Sequence, residues 1–360
     1  MEWDRGREIG CGSFATISLA VPRKASSAAV PSLMAVKSSE VCNSASIKNE
    51  KQVLDQLENS PQVIRCFGEN YSVEKGEELY NLMLEYASGG SLVDQLKKNG
   101  GRLPESDVRK YTKNVLKGLS FVHAKGFVHC DIKLQNILVF EDGEAKIADF
   151  GLAKKTGEKK TEMELRGTPL YMAPESVNDN EYESASDVWA LGCAVAEMVT
   201  GKPAWNCKPG SHICALLIRI GVGDELPEVP EELSEEGKDF LGKCFVKDPT
   251  KRWTVEMLLN HPFVADGTVP LKEVSTSPRG PFDFPDWVSM QSTVEFSKPP
   301  EFSPGLESDN WSGSESKSCF GSSSSSSSCS TCIPSIENRL QQLVTDETPN
   351  WSFDSWLTVR

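Results

Sequence analysis

No stretch of this sequence stays apolar for the roughly 18 residues that a membrane span needs. Its 38% of hydrophobic residues are broken up throughout by the 25% that are charged. Positive charge is also short: 38 lysines and arginines stand against 52 aspartates and glutamates, a formal net charge of -14. A nucleic-acid surface needs clustered basic residues to meet the phosphates, so no nucleic acid and no membrane is expected as partner. The start, Met1-Glu2-Trp3-Asp4-Arg5, lacks the apolar core of a secretory signal, and Glu2 stands where myristoylation needs glycine. An intracellular protein, cytoplasmic or also nuclear, is the expectation. Disulfides do not fit either, because the 11 cysteines are scattered over 360 residues without a secretory signal. Cys329 and Cys332 form a C-x-x-C, but Cys319 alone lies near and no histidine follows, which argues against a zinc site.

What is present falls into two parts. Up to about Ala265, strand-like and helix-like apolar patterns alternate with short polar turns, over a length that suggests two lobes. Beyond it Ser, Pro and Gly dominate, with an unbroken serine run from Ser322 to Ser328. Such a segment buries too little apolar surface to offset its ordering entropy, so residues 266–360 are read as a largely disordered tail. Two aromatic islands, Phe282 to Trp287 and Trp351 to Leu357, interrupt it, and Ile336, Leu340 and Leu343 carry helical spacing. Arg23 to Ser32, rich in Ala, Ser and Pro, reads as a loop between strands.

The chemistry-bearing residues come in a fixed order. Ile9-Gly10-Cys11-Gly12-Ser13-Phe14-Ala15-Thr16-Ile17 has two glycines that let a backbone approach a phosphate chain, although glycine pairs also make plain hairpin turns. Leu33-Met34-Ala35-Val36-Lys37 is a short apolar strand ending in a lysine that could hold phosphate oxygens if a carboxylate orients it. Glu50 is placed for that, on a helix whose apolar face is marked by Ile47, Leu54 and Leu57. Taken alone, Lys37 reads equally well as a strand-edge gatekeeper and Glu50 as a solvated helix residue.

Then His129-Cys130-Asp131-Ile132-Lys133-Leu134-Gln135-Asn136 puts an aspartate, a lysine and an asparagine on one loop, and Asp149-Phe150-Gly151 follows strand-like Ala145 to Ala148. In-line phosphoryl transfer needs this set: a carboxylate for the incoming hydroxyl, a cation for the transferred group and oxygen ligands for magnesium. Gly167-Thr168-Pro169-Leu170-Tyr171-Met172-Ala173-Pro174-Glu175, Asp187-Val188-Trp189 and Arg252 complete the series.

The series resembles the eukaryotic protein kinases from Trp3 to Val264. The resemblance implies an α+β, bilobal kinase fold: a small β-rich N-lobe over about 1–86 and a larger helical C-lobe over about 87–265. It implies that Ile9, Gly10 and Gly12 cover the ATP phosphates. Ile17 and Ala35 would pack on adenine from above and Leu138 from below. Leu84 would stand beside the adenine pocket, with the backbones of Glu85 and Ala87 on the adenine edge. Lys37, paired to Glu50, would hold the α- and β-phosphates. Asp131 would be the base, Lys133 would neutralise the γ-phosphoryl group, and Asn136 and Asp149 would ligate Mg2+. Glu175 with Arg252 would be a brace, and Asp187 would hold the catalytic-loop backbone.

Lys133 with Thr168 resembles the serine/threonine pattern. Gly89-Gly90-Ser91-Leu92, the segment Gly167 to Met172, the Met1-Glu2-Trp3 start and His129-Cys130-Asp131 resemble the compact plant MAP kinase kinase kinases. Substrates would then be MAP kinase kinases, in stress or hormone signalling. The aromatic islands of the tail point separately to a regulatory role for it, as a degradation signal or an arm that docks regulators. Other readings stay open: a kinase of another serine/threonine group, a small-molecule kinase, or an ATP-binding scaffold, which should lack Asp131, Lys133 or Asp149.

Two positions depart from the kinase pattern. Ala15 stands where a third glycine is usual, and Cys130 replaces the arginine that commonly precedes the catalytic aspartate. In kinases with that arginine, an activation-loop phosphate pairs with its guanidinium. A thiol offers no such charge, so basal activity without phosphate on Thr156 or Thr161 is expected. Cys130 itself reads as a semi-buried structural residue.

Overall fold

A computed structural model describes residues 2–12, 15–23, 31–57, 60–158, 165–207 and 212–265. The serine run, both aromatic islands, the helix expected at 336–343 and most of the loop expected at 23–32 lie outside the described residues.

The chain opens with strands β1 (Trp3–Cys11), β2 (Thr16–Pro22) and β3 (Met34–Glu40), then helix α1 (Ala45–Leu57), β4 (Cys66–Glu74) and β5 (Glu77–Glu85). The five strands form one antiparallel sheet in the order β1-β2-β3-β5-β4. β3 therefore sits in the middle, which removes the strand-edge reading of Lys37. It also runs further than the apolar pattern suggested, because Ser38 and Ser39 continue the pairing opposite Asn81 and Tyr80. A side-chain period of two sorts the sheet into faces. Register places Ile17 opposite Lys37, Leu19 opposite Ala35, and Leu84 and Leu82 opposite Ala35 and Lys37, so these six share a face. The other face carries its own small core of Ala20, Met34, Val36 and Met83, flanked by Trp3 and Phe67. In α1, Ile47, Glu50, Val53, Leu54 and Leu57 are buried, the spacing of one helical stripe.

The described residues after β5 are mainly helical. They run through β6 (Gly90–Ser91), α2 (Leu92–Lys98), α3 (Glu105–Ala124), β7 (Phe127–Val128), β8 (Ile137–Val139), β9 (Ala145–Ile147) and β10 (Lys154–Lys155). Helices α4 (Pro174–Asn178), α5 (Ser184–Thr200), α6 (Ile213–Gly221), α7 (Glu235–Cys244) and α8 (Val255–Leu259) follow. A capping box starts α2: the Ser91 hydroxyl accepts the Asp94 N–H, and the Asp94 carboxylate accepts the Ser91 N–H at 3.0 Å. α5 is apolar nearly all round and buried nearly throughout, as a central helix must be. Among the described residues the last core contacts come from Phe263 and Val264, both buried, with the Arg109 guanidinium 4.7 Å over the Phe263 ring.

Short strands run through the second half, and one of them is fastened to the first. β8 pairs with β6 and β9, and β7 with β10. Ile147 accepts the Ile64 N–H at 2.9 Å and donates its own to Gln62 at 2.9 Å, so β9 is fastened to the segment ahead of β4. Lys146 on β9 reaches both Glu85 carboxylate oxygens at 2.7 Å, at the end of β5. The α+β architecture expected from the sequence is present, with sheet first and helices after.

Candidate active site

The sheet face bearing Ile17, Ala35 and Leu84 forms one wall of a cleft. Ile17 and Leu138 are half-buried partners of the main core, and Ala35 and Leu84 belong to it. Arg65 accepts the Glu85 N–H at 2.9 Å, which leaves the Glu85 carbonyl as the group its backbone can offer to a ligand. The β1–β2 turn is closed by the Gly12 N–H on Ala15 at 2.8 Å. Gly10 has no left-handed backbone, and a Cβ there would meet nothing closer than Ile17 at 3.8 Å. Among the described residues nothing demands glycine at that point, and a bare backbone there leaves room for close approach of a ligand.

Lys37 is the centre of the inner cluster. Its ammonium lies 2.7 Å from Glu50 Oε2 and 2.9 Å from Asp149 Oδ1. Glu50 is fully buried, and its other oxygen accepts the Phe150 N–H at 3.2 Å. The solvated-helix reading of Glu50 is thereby excluded. Burial pushes Lys37 down and Glu50 up, but two carboxylates around one ammonium reverse the first effect, so Lys37 titrates above its usual range and keeps its charge. Dense protein around Asp149 would raise its carboxyl, but the Lys37 charge and hydrogen bond outweigh that and hold it at about 2. Asp149 still keeps 43% of its side chain exposed, turned to the cleft rather than sealed in the core.

Asp131 is the centre of the outer cluster. Its Oδ1 accepts the Thr168 hydroxyl at 2.7 Å, and its Oδ2 lies 3.0 Å from Asn136 Nδ2 and 2.8 Å from Lys133 Nζ. Lys133 Nζ also donates to the Thr168 hydroxyl at 2.9 Å. A carboxylate has about four lone-pair sites. Three are engaged, so Oδ1 retains one for an incoming hydroxyl. Asn136 spends its amide N–H groups on Asp131, both side chain and carbonyl, which leaves its amide oxygen to offer to a cation. With the Asp149 carboxylate, that makes a hard-oxygen donor pair suited to Mg2+-like ions.

Two left-handed residues hold these clusters in place, Cys130 at φ 67° and Asp149 at φ 63°. Such backbone costs about 1–3 kcal/mol each and persists only where surroundings impose it. Asp187, buried in the first turn of α5, imposes it at Cys130: its two oxygens accept the His129 and Cys130 N–H groups at 2.9 and 3.0 Å. Burial pushes the Cys130 thiol well up and Asp187 adds to it, against the smaller pull of Arg166 and Lys154. The thiol stays protonated, as the structural reading expected. Gly167, at φ 92°, packs on the Cys130 carbonyl so closely that a Cβ would collide with it, and this seats Thr168 on Asp131. The brace is present too: Arg252 holds Glu175 through two bonds of 2.7 and 3.0 Å.

Two side chains that the sequence reading gave no role of their own also hold the site together. Asn49, next to Glu50, donates to the carbonyls of Gly151 and Ala153, each at 3.0 Å, and so ties α1 to the chain after Asp149. His129 accepts the Asp131 N–H on Nδ1 at 3.2 Å, reaches the Ala148 carbonyl with Nε2 at 3.1 Å and meets the Phe150 ring edge-on. Their adjacency to motif residues was the available signal.

The protein kinase domain family matches residues 3–264. Mitogen-activated protein kinase kinase kinase 20 of Arabidopsis thaliana is 52% identical over 380 aligned residues, covering 100% of each chain. Mitogen-activated protein kinase kinase kinases 17 and 18 of the same plant are each 43% identical, covering 81% and 82% of this chain and 78% and 87% of their own. With the Lys37–Glu50–Asp149 and Asp131–Lys133–Thr168 clusters assembled on that fold, the chain belongs to the protein kinase family, among the serine/threonine kinases of the plant MAP kinase kinase kinase group.

Proposed function

We propose that this kinase phosphorylates serine or threonine residues of MAP kinase kinases, using ATP with Mg2+ as the divalent ion. The names of its relatives and the serine/threonine pairing of Lys133 with Thr168 support that substrate class. ATP supplies the transferable phosphoryl group, and the cation neutralises its charge. Gly10, Gly12 and Ile9 line the phosphate end of the cleft, while Ile17, Ala35, Leu138, the Glu85 carbonyl and the Ala87 N–H receive the adenine. Lys37, oriented by Glu50, pairs with phosphate oxygens. Asn136 and Asp149 hold the metal. Asp131 takes the proton of the substrate hydroxyl on its remaining Oδ1 site, and Lys133 stands beside it for the charge that develops on the transferred group.

The observation that carries the reading is the Asp131–Thr168–Lys133 triangle, which joins base and cation to the segment that positions a peptide. The alignment with mitogen-activated protein kinase kinase kinase 20 spans the full chain, so residues 266–360 have a counterpart there. In this reading they are a docking arm, and the kinase acts in stress or hormone signalling in the cytoplasm and also the nucleus. The test is a panel of purified MAP kinase kinases incubated with Mg2+-ATP, with phosphosites mapped. At least one should gain phosphate on serine or threonine, and Asp131→Asn should abolish it while ATP still binds. If a generic substrate is phosphorylated and no panel member is, the substrate assignment falls. Near wild-type turnover by Asp131→Asn would remove Asp131 as the base.

A further inference from the structure

Two neighbouring residues, Tyr182 and Glu183, hold the described residues on both sides of 159–164. Glu183, directly ahead of α5, accepts the Gly157 N–H at 3.0 Å and lies 3.4 Å from Lys154 Nζ, both through Oε1. Tyr182, buried, accepts the Arg166 N–H on its hydroxyl at 2.7 Å. Lys154 also donates to the Glu158 carbonyl at 3.0 Å, and Arg166 to the Leu152 carbonyl at 3.3 Å. The first side is further fastened by β10 on β7 and by the Thr156 N–H on Gly126 at 2.9 Å.

One carboxylate oxygen that takes an ammonium and a backbone N–H uses the donors a loop phosphate would use. Lys154 and Arg166 are also the cations that bear on Cys130, the residue standing where an arginine would grip that phosphate. Two residues after Arg166 comes Thr168, held on Asp131. Fixing Arg166 therefore fixes the partner of the base.

From these contacts we infer that Glu183, with Tyr182, is a positioning residue for phosphoryl transfer: the Glu183 carboxylate seats residues 154–157, and the Tyr182 hydroxyl seats Arg166, two residues before Thr168, without any loop phosphate. The inference rests on Asp131 and Thr168 acting as proposed above. Neither Tyr182 nor Glu183 touches the reacting atoms.

The test uses the full chain, treated with phosphatase and shown by mass to carry no phosphate. Hydrogen exchange is followed at 154–158 and 165–168, and turnover is measured on casein. Phosphatase treatment should change wild-type kcat by less than threefold. The Glu183 side chain is 41% exposed, so Glu183→Ala opens no cavity. It should speed exchange at 154–158 at least tenfold and lower kcat at least tenfold, while KM for ATP moves less than threefold because the Lys37 cluster is untouched. If Glu183→Ala lowers the melting point of the whole chain, Tyr182→Phe replaces it, with at least tenfold faster exchange expected at the Arg166 amide. Unchanged protection in the variant, or a tenfold loss of wild-type kcat on phosphatase treatment, overturns the inference. Exchange needs no substrate, so this outcome is independent of whether any MAP kinase kinase is phosphorylated.

Discussion

The Thr168 hydroxyl donates to Asp131 Oδ1 at 2.7 Å and accepts from Lys133 Nζ at 2.9 Å, so Thr168 sits between the proposed base and the Lys133 cation. Thr168→Ala removes both bonds and should lower kcat about a hundredfold, about 2.7 kcal/mol of barrier. Thr168→Ser keeps the hydroxyl and should stay within about fivefold, on the same scale. Steady-state kinetics of the two variants checks this. Equal losses would mean that the methyl group, not the hydroxyl, matters.

Lys37→Met leaves Glu50 and Asp149 as two carboxylates without their shared cation, and Glu50→Gln leaves Lys37 held by Asp149 alone. Activity should nearly vanish in the first. In the second it should fall about tenfold to a hundredfold, about 1.4–2.7 kcal/mol, mostly through KM for ATP. Nucleotide titrations and initial rates separate these outcomes, and an unchanged KM in Glu50→Gln would contradict the orienting role.

Asp187→Asn removes a buried charge that lies 2.9 Å from His123 Nε2, and turns one of the two oxygens that each accept a backbone N–H into an NH2 donor. Losing one partner of such a buried set costs about 3–5 kcal/mol. Burial would raise the Asp187 carboxyl, but His123 and the backbone N–H groups outweigh it and hold it below its usual range. A depressed carboxyl stabilises the fold above its unfolded pKa, roughly 3.9, and loses that contribution as pH falls through the folded value. The stability gap between wild type and variant should thus be full at pH 7 and shrink below about pH 4. Urea midpoints across that range measure it; a constant gap would rule out the charge as its source.

Changing Thr156 and Thr161 together to alanine should leave kcat within about tenfold, about 1.4 kcal/mol. Thr156 is exposed and contributes its backbone N–H, which alanine keeps. A hundredfold loss in the kinetics of the double variant would show that loop phosphorylation switches the enzyme.

Removing residues 266–360 should leave a folded kinase with activity on casein within a few-fold. The last described core contacts, Phe263 and Val264, precede the cut, and Arg109 covers Phe263. Insolubility of the shortened chain would place part of the tail in the core.

The residues proposed to do the chemistry were legible because phosphoryl transfer constrains their types and order along the chain. Lys37, Glu50, Asp131, Lys133, Asn136 and Asp149 all belong to short runs whose neighbours are equally constrained. The helix carrying Glu50 could be read from its apolar spacing, since one buried stripe repeats every turn. The extent of β3 could not, because Ser38 and Ser39 are strand residues only through their partners on β5.

Sequence alone determined which groups are available: one lysine on a strand, two acidic centres, and a cysteine in place of an arginine. Only the tertiary structure decided their states. It set Glu50 in full burial against Lys37, forced Cys130 and Asp149 into left-handed backbone, and brought Glu183 to Lys154 and Gly157. Local patterns record periodicity and side-chain type. Burial, charge pairing and backbone strain are set by residues distant in the chain, and no window of sequence contains both partners.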